Sequence, residues 1–464
     1  MAAAFEQGTW PEEMHMIEPT VNVLVFFDRP PSLEMLADSI EKHLWPSPRF
    51  HSVMSGGYWA STGAPMDRGY HFRTVPVADE NEIDAWVQSV MLDPLDRAYP
   101  AWRVTLLRCD GRPAPGSTAS RSAMWFQLHH SLGDGLSLLF AVAPMLGCEG
   151  GNLIAKVPLP NSLLPPSQRK KPSGGGGSGK SSGPGCCGSV CSFFKGLMAP
   201  TMYKYDTELS LNPPLADRKP FVKFNRNRVY SRFPPVPMSK IHDIKVAAEC
   251  SVNDVIMAAL SGALRRYGAE VRQDPKLVSE APEAIEFKSI VMIALPRKVN
   301  EKHPEESLAN KMLFASCPLP IDAQTPAERL ERTQEAFDNL KSKAYITGYV
   351  SLTNFVQSVA PRAVLKKLAS ETFSKHSLLV TNVPNATVPV EVPAGGEVMR
   401  EIHMVFPNLI PQVSILTYNG FVNANLVADP ALFPSGEILG RMFAEEFDRL
   451  QEVVEQTAVT SIES

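Results

Sequence analysis

Cysteine is scarce in this chain, with seven residues among 464, four of them isolated from one another. An odd, scattered set is not a disulfide framework and fits a reducing, cytosol-facing compartment. Long apolar runs are absent too: no stretch reaches the roughly 18 apolar residues of a spanning helix. The start, Met1-Ala-Ala-Ala-Phe-Glu, has no basic region ahead of an apolar one. Neither a secretory signal nor a transmembrane helix is therefore expected. An excess of positive charge is also missing, since 45 basic residues face 49 acidic ones for a formal net charge of −4. That balance gives no electrostatic footprint for nucleic acid. His-Glu-x-x-His and paired Cys-x-x-Cys spacings do not occur, so no metal is expected.

Acidic side chains disappear from Gly150 to Lys204. The centre of that segment, Pro172 to Gly185, is almost all glycine and serine and cannot recover its ordering entropy by burial. The chain is long enough for two domains. The expected organisation is an N-terminal domain over 1–160, a basic Gly/Ser-rich linker over 161–205 and a C-terminal domain over 206–464. Within the linker, Gly174 to Ser181 fits the P-loop expression G-x-x-x-x-G-K-S. No strand precedes it and no helix follows, so the match is a product of low complexity.

Outside the linker the chain has the periodicities of a folded protein. Strands are predicted at 22–27, 102–109, 123–130, 287–295, 376–381, 412–418 and 421–427. Helices are predicted at 32–44, 80–91 and 136–146, the last ended or kinked by Pro144. A helix opening at Ser251 has Asp254 at its third position and Gly268 suited to close it. Thr325-Pro326-Ala327-Glu328 is a capping box that starts a long polar helix, and a final helix covers 435–454. Strands and helices without strict alternation predict α/β layers with mixed sheets.

The segment His129-His130-Ser131-Leu132-Gly133-Asp134-Gly135 concentrates chemistry. Alternation along the strand puts His130 on the apolar side of Met124, Phe126 and Leu128, and His129 with Trp125 and Gln127. An imidazole titrates near neutrality, so it can take a proton from a hydroxyl and return it to a leaving group. Gly133 and Gly135 would let the backbone turn closely beside the site. Asn253 and Asp254 lie in the first turn of their helix, where a carboxylate interacts favourably with the helix N-terminus.

The order His-His-x-x-x-Asp-Gly resembles the signature of the CoA-dependent acyltransferase superfamily. Val252-Asn253-Asp254-Val255 resembles the Asn-Asp motif of its wax ester synthase/diacylglycerol acyltransferase branch. Pro48-Arg49-Phe50, Pro100-Ala101-Trp102, Ala309-Asn310 and Thr381-Asn382-Val383-Pro384 resemble further motifs of that branch, with Ala101 for leucine, Ala309 for glycine, and Asn385 and Ala386 for the Gly-Pro that would follow Pro384. The Asp-Phe-Gly-Trp-Gly of the plant branch is absent.

The resemblance implies a two-domain fold like that of chloramphenicol acetyltransferase, with an active-site tunnel between the domains. In it His130 matches the catalytic histidine and Asp134 a structural aspartate. Asn253 would sit near the histidine and stabilise an oxyanion. His129, Gly133, Gly135 and Asp254 would support them. The implied activity is O-acylation of a fatty alcohol or diacylglycerol, giving wax ester or triacylglycerol, with long-chain acyl-CoA as co-substrate and no bound cofactor. Two alternatives remain open: a related acyltransferase or condensation domain with a polar or carrier-bound substrate, and a non-catalytic lipid-binding protein on the same fold. Lipid substrates imply peripheral attachment to a lipid droplet or to the cytoplasmic face of the endoplasmic reticulum or another membrane. The expected contact is Cys186, Cys187, Cys191, Phe193 and Phe194, among the lysines and arginines of the acid-free segment.

Overall fold

The computed structural model describes residues 19–55, 58–109, 121–160, 162–168, 203–219, 222–279, 284–392 and 395–463. The glycine run and the cysteine–phenylalanine segment lie outside these residues.

Two mixed β-sheets form the frame. In chain order their strands are β1 (Thr20–Phe27), β2 (Phe72–Val77), β3 (Trp102–Cys109), β4 (Ser122–His129), β5 (Val229–Arg232), β6 (Val236–Pro237), β7 (Lys288–Ala294), β8 (Met312–Pro318), β9 (Leu378–Pro384), β10 (Met399–Val405), β11 (Gln412–Tyr418) and β12 (Phe421–Ala428). The longer helices are α1 (Leu33–His43), α2 (Glu80–Val90), α3 (Gly135–Val142), α4 (Met238–Ala247), α5 (Val252–Arg266), α6 (Pro326–Lys341), α7 (Lys343–Val359), α8 (Arg362–Ser374) and α9 (Gly436–Glu463).

The first sheet has the order β10-β1-β4-β3-β2, antiparallel except for β2 beside β3. Its interior strand β1, Thr-Val-Asn-Val-Leu-Val-Phe-Phe, is buried on both faces, which is why it reads as an almost continuous apolar run. The second sheet has the order β8-β7-β9-β11-β12-β5, with β6 also on β12, and is parallel at β7–β9 and β9–β11.

The partition expected at the linker needs one amendment. β10 lies deep in the 206–464 half, yet it completes the first sheet, pairing Asn22 with Val405 and Val25 with Ile402. Its other neighbour is the second sheet, where Asn425 Nδ2 donates to Met404 O at 3.0 Å. Charge ties the halves as well. Arg121 and Arg232 both stack on Phe26, with guanidiniums 4.6 and 4.5 Å from the centre of its ring. Both reach Glu80 and Glu401, and Arg232 also reaches Asp84.

Helix starts follow the sequence chemistry. Ser251 caps α5 in a complete capping box with Asp254. At α6 the Glu328 N–H reaches Thr325 Oγ1 at 3.2 Å, but the Glu328 carboxylate reaches back to Gln324 N rather than to Thr325. Pro144 ends α3, and the chain continues as a short 3-10 turn over Ala143–Met145. The helix stop expected at Gly268 is displaced. α5 runs on through a π turn to Val271, and Gln273 is the residue with positive φ. Gly268 is needed for packing instead, because a Cβ there would stand 2.2 Å from Leu277 Cδ1.

α5 is buried on every side between α6, α9 and the second sheet. Gly262 makes that possible where Arg329 Nη2 donates to Glu446 Oε2 at 3.0 Å, both side chains buried. A Cβ at 262 would lie 2.0 Å from that carboxylate oxygen.

Candidate active site

β4 ends at His129, so His130 is the first residue of the following turn rather than the last of a strand. Its backbone N–H donates to Pro19 O at 2.6 Å. The ring is buried and meets Phe406 edge-on, with centroids 5.7 Å apart. Asn310 grips this residue twice. Asn310 Nδ2 donates to His130 O at 2.8 Å, which orients the amide, and Asn310 Oδ1 lies 3.0 Å from His130 Nδ1. A carbonyl oxygen only accepts, so Nδ1 carries the proton of the neutral ring and Nε2 carries the lone pair. Burial pushes the His130 pKa down and outweighs the opposing influences of Asp134 and Asn310. The ring is therefore a neutral base at physiological pH.

Asp134 does not touch that ring by a hydrogen bond in the structure; it builds the support. One oxygen accepts from Ser137 N at 2.9 Å, capping α3, and pairs with the buried Arg297 at 2.5 Å. The other accepts from Lys311 N at 2.8 Å. Arg297 Nη2 also donates to Lys311 O at 3.0 Å. The Ala309–Lys311 segment is thus pinned on both sides of Asn310. Asp134 is linked to His130 by way of that segment and the Asn310 amide.

The other residues expected at the site divide. Arg49, from Pro48-Arg49-Phe50, donates to Ser131 O at 2.7 Å and Leu132 O at 3.2 Å, holding the turn from the opposite side. His129 turns away from His130: its Nδ1 accepts from Ser131 N at 3.2 Å and lies 2.6 Å from Ser131 Oγ. Burial lowers its pKa to about 3, so it stays neutral. Gly133 is a genuine close approach, since a Cβ would stand 2.4 Å from Ser137 Oγ and 3.2 Å from Leu308. Gly135 is not, because a Cβ there would meet open space. Among the described residues no group of His, Cys, Asp and Glu could hold a metal ion.

Asn253 makes its side-chain hydrogen bond on β9. Its Oδ1 accepts from Asn382 Nδ2 at 2.8 Å, tying the start of α5 to β9. By strand alternation Asn382 shares the face of Leu378 and Val380, which pack against the helices. Leu379 points the other way and lines the cavity at His130. Asp254 is buried within its capping box.

That cavity lies between the two sheets. Val21 and Met404 come from the first, Met292, Phe314 and Leu379 from the second, with Phe373 from α8. Its other polar side chains are Asn408 and Gln412, which bond to each other at 3.1 Å. The open tunnel expected here is in this structure a narrow space of about 30 Å³, the share of about one water. Methionines on two sides give its walls rotational freedom.

Two family models match this architecture. The wax ester synthase/diacylglycerol acyltransferase catalytic domain covers residues 29–256, and the WS/DGAT C-terminal domain covers residues 308–451. The chain belongs to this family. It is an acyltransferase, and the two matched stretches contribute Arg49 with the His-His turn and Asn310, respectively. Arg297 falls between them.

Members similar to this chain include wax ester synthase/diacylglycerol acyltransferase 7 of Arabidopsis thaliana, 24% identical over 77% of each chain. O-acyltransferase WSD of Acinetobacter baylyi is 20% identical over 74% of this chain and 72% of that protein. The fold is that of the wax ester synthase/diacylglycerol acyltransferase from Marinobacter aquaeolei VT8, with a TM-score of 0.60, 19% identity and coverage of 95% and 96%. The first condensation domain of the calcium-dependent antibiotic synthetase shares it, with a TM-score of 0.56, 14% identity and coverage of 97% and 95%. Among the described residues no single helix is long and apolar enough to cross a membrane.

Proposed function

We propose that this acyltransferase esterifies a fatty alcohol or diacylglycerol with a long-chain acyl-CoA, and that His130 Nε2 is the base. The observation that carries the reading is the imidazole held by Asn310 at Nδ1 in the wall of an apolar cavity. The acceptor hydroxyl oxygen attacks the thioester carbonyl carbon as Nε2 takes its proton. The tetrahedral intermediate collapses, the C–S bond breaks, and Nε2 returns the proton to the leaving thiolate. Ester and free CoA result. No acyl-enzyme and no bound cofactor take part, and Asp134 moves no proton. Acyl chains enter by displacing side chains around the narrow cavity, chiefly Met292 and Met404.

The test is thiol release from acyl-CoA with hexadecanol, diacylglycerol or an amine as acceptor, with the ester product identified. His130→Ala is expected to lower kcat by about 10²- to 10⁴-fold on the preferred alcohol. Undiminished ester formation by that variant would remove the mechanism. Turnover of the amine alone would replace the reading with amide-forming chemistry.

A further inference from the structure

Nine large apolar side chains are exposed among the described residues, and four of them lie on two consecutive helices, α7 and α8. Phe355 and Val359, exposed by 63% and 61%, stand one turn apart near the end of α7. Val364 and Leu368 stand one turn apart at the start of α8. Pro361 separates the pairs. The inner face of α7 is already satisfied, because Tyr345, Ile346, Tyr349 and Val350 pack around Leu313. The outer apolar residues are therefore surplus to the core.

Charge indicates what covers them. From Asn339 to Ser370 the chain has no acidic residue, and it has Lys341, Lys343, Arg362, Lys366 and Lys367. Exposed apolar anchors in a stretch of sequence that is basic and free of acids complement an anionic lipid surface, which offers acyl chains below negative headgroups. A second copy of the chain would bring like charges together. α8 also leads inward: Phe373, five residues after the exposed Leu368, is buried in the wall of the cavity that holds His130. At 1.5 Å per helical residue that interval is about 8 Å.

We infer that the α7–α8 segment docks on anionic phospholipid and sets the mouth of the His130 cavity at the lipid surface, where the acceptor resides. This rests on the reading of a lipid acceptor. It differs from the contact expected at Cys186 to Phe194.

The test measures binding without turnover. The full chain is sedimented with phosphatidylcholine vesicles, with and without about 30% phosphatidylserine. Wild type is expected to bind the anionic vesicles preferentially and to be released by salt. The variant Phe355→Ser/Val359→Ser/Leu368→Ser is expected to bind about tenfold less. Lys366→Glu/Lys367→Glu is expected to lose the preference for anionic vesicles. Both variants should keep the wild-type melting temperature and turnover of a short, soluble alcohol, and the first should lose turnover of diacylglycerol embedded in vesicles. Binding that survives both sets of substitutions, or that vanishes only on deletion of residues 172–191, overturns the proposal. So does a wild type that ignores vesicles, or a dimer abolished by the serine variant. An inactive protein that still binds through the α7–α8 segment would refute the catalytic reading alone.

Discussion

The histidine at 130 and the amide at 310 are the pair on which the chemistry turns, and their coupling is open to a direct test. A neutral amide holds Nδ1, and burial keeps the ring unprotonated. Replacing the amide with a carboxylate in Asn310→Asp would favour the imidazolium and raise the His130 pKa, by roughly one to three units for a close opposite charge. The acid limb of the kcat/KM profile is expected below pH 6.5 in the wild type and displaced upward in Asn310→Asp. Asn310→Ala should lower kcat without that upward displacement. Coincident pH profiles for wild type and Asn310→Asp would show that the amide does not act through the ring. Of this site, the sequence displays what is local. His130 and Asp134 stand four residues apart in one turn, and Arg49 and Asn310 fall on short motifs. Arg297 has no such signature, because the carboxylate it pairs with is 163 residues away. Asn253 was legible as a helix-start residue, but its partner on β9 depends on a packing that no local pattern specifies.

Elements that bury one face and expose the other, such as α1, are legible because the contrast repeats at helical spacing. β3 and β11 fall at their predicted residues because turn-forming residues bound them, Pro100 and Asp110-Gly111 around β3 and Pro411 and Asn419-Gly420 around β11. The elements that escaped are those whose pattern is blurred. β2 is a mostly exposed edge strand that contains Pro76. β10 alternates poorly, because Glu401 and His403 are polar residues drawn into contact with each other beside the arginines that stack on Phe26. α7 carries apolar residues on both its inner and outer faces. α5 offers a prediction at this scale. Alanine is normally about 1 kcal/mol better than glycine inside a helix. At Gly262 the order should reverse, since the added methyl would separate the buried Arg329–Glu446 pair. Gly262→Ala is expected to lose about 2–4 kcal/mol in urea unfolding, through overpacking and a broken buried ion pair. An unchanged or raised midpoint would mean that α9 shifts without penalty.

The molecule as a whole carries several buried imidazoles that must charge when it unfolds in acid. Burial lowers the pKa of His129 to about 3, and of His71 and His376 to about 4. In the unfolded chain each returns to about 6.5. Below that pH the unfolded state binds more protons than the folded one, so stability falls as pH drops from 6.5 towards 4 and is fully present above 6.5. Each group accounts for on the order of 3 kcal/mol across its window. Denaturant titrations between pH 7 and 4.5 should show this loss, and His71→Phe should reduce the slope by about one proton. A flat profile would mean that these rings open to water in the folded state. The crossing of β10 into the first sheet has a consequence for how the chain is made. When the ribosome has delivered everything up to the glycine run, β1 still presents a bare row of peptide groups along its edge. Asn22 and Val405, which pair across that edge, are 383 residues apart in the chain, so Met399–Val405 covers it only late. The amino-terminal layer therefore waits, unsealed, for the end of translation, and that interval is when a chaperone has the most to protect.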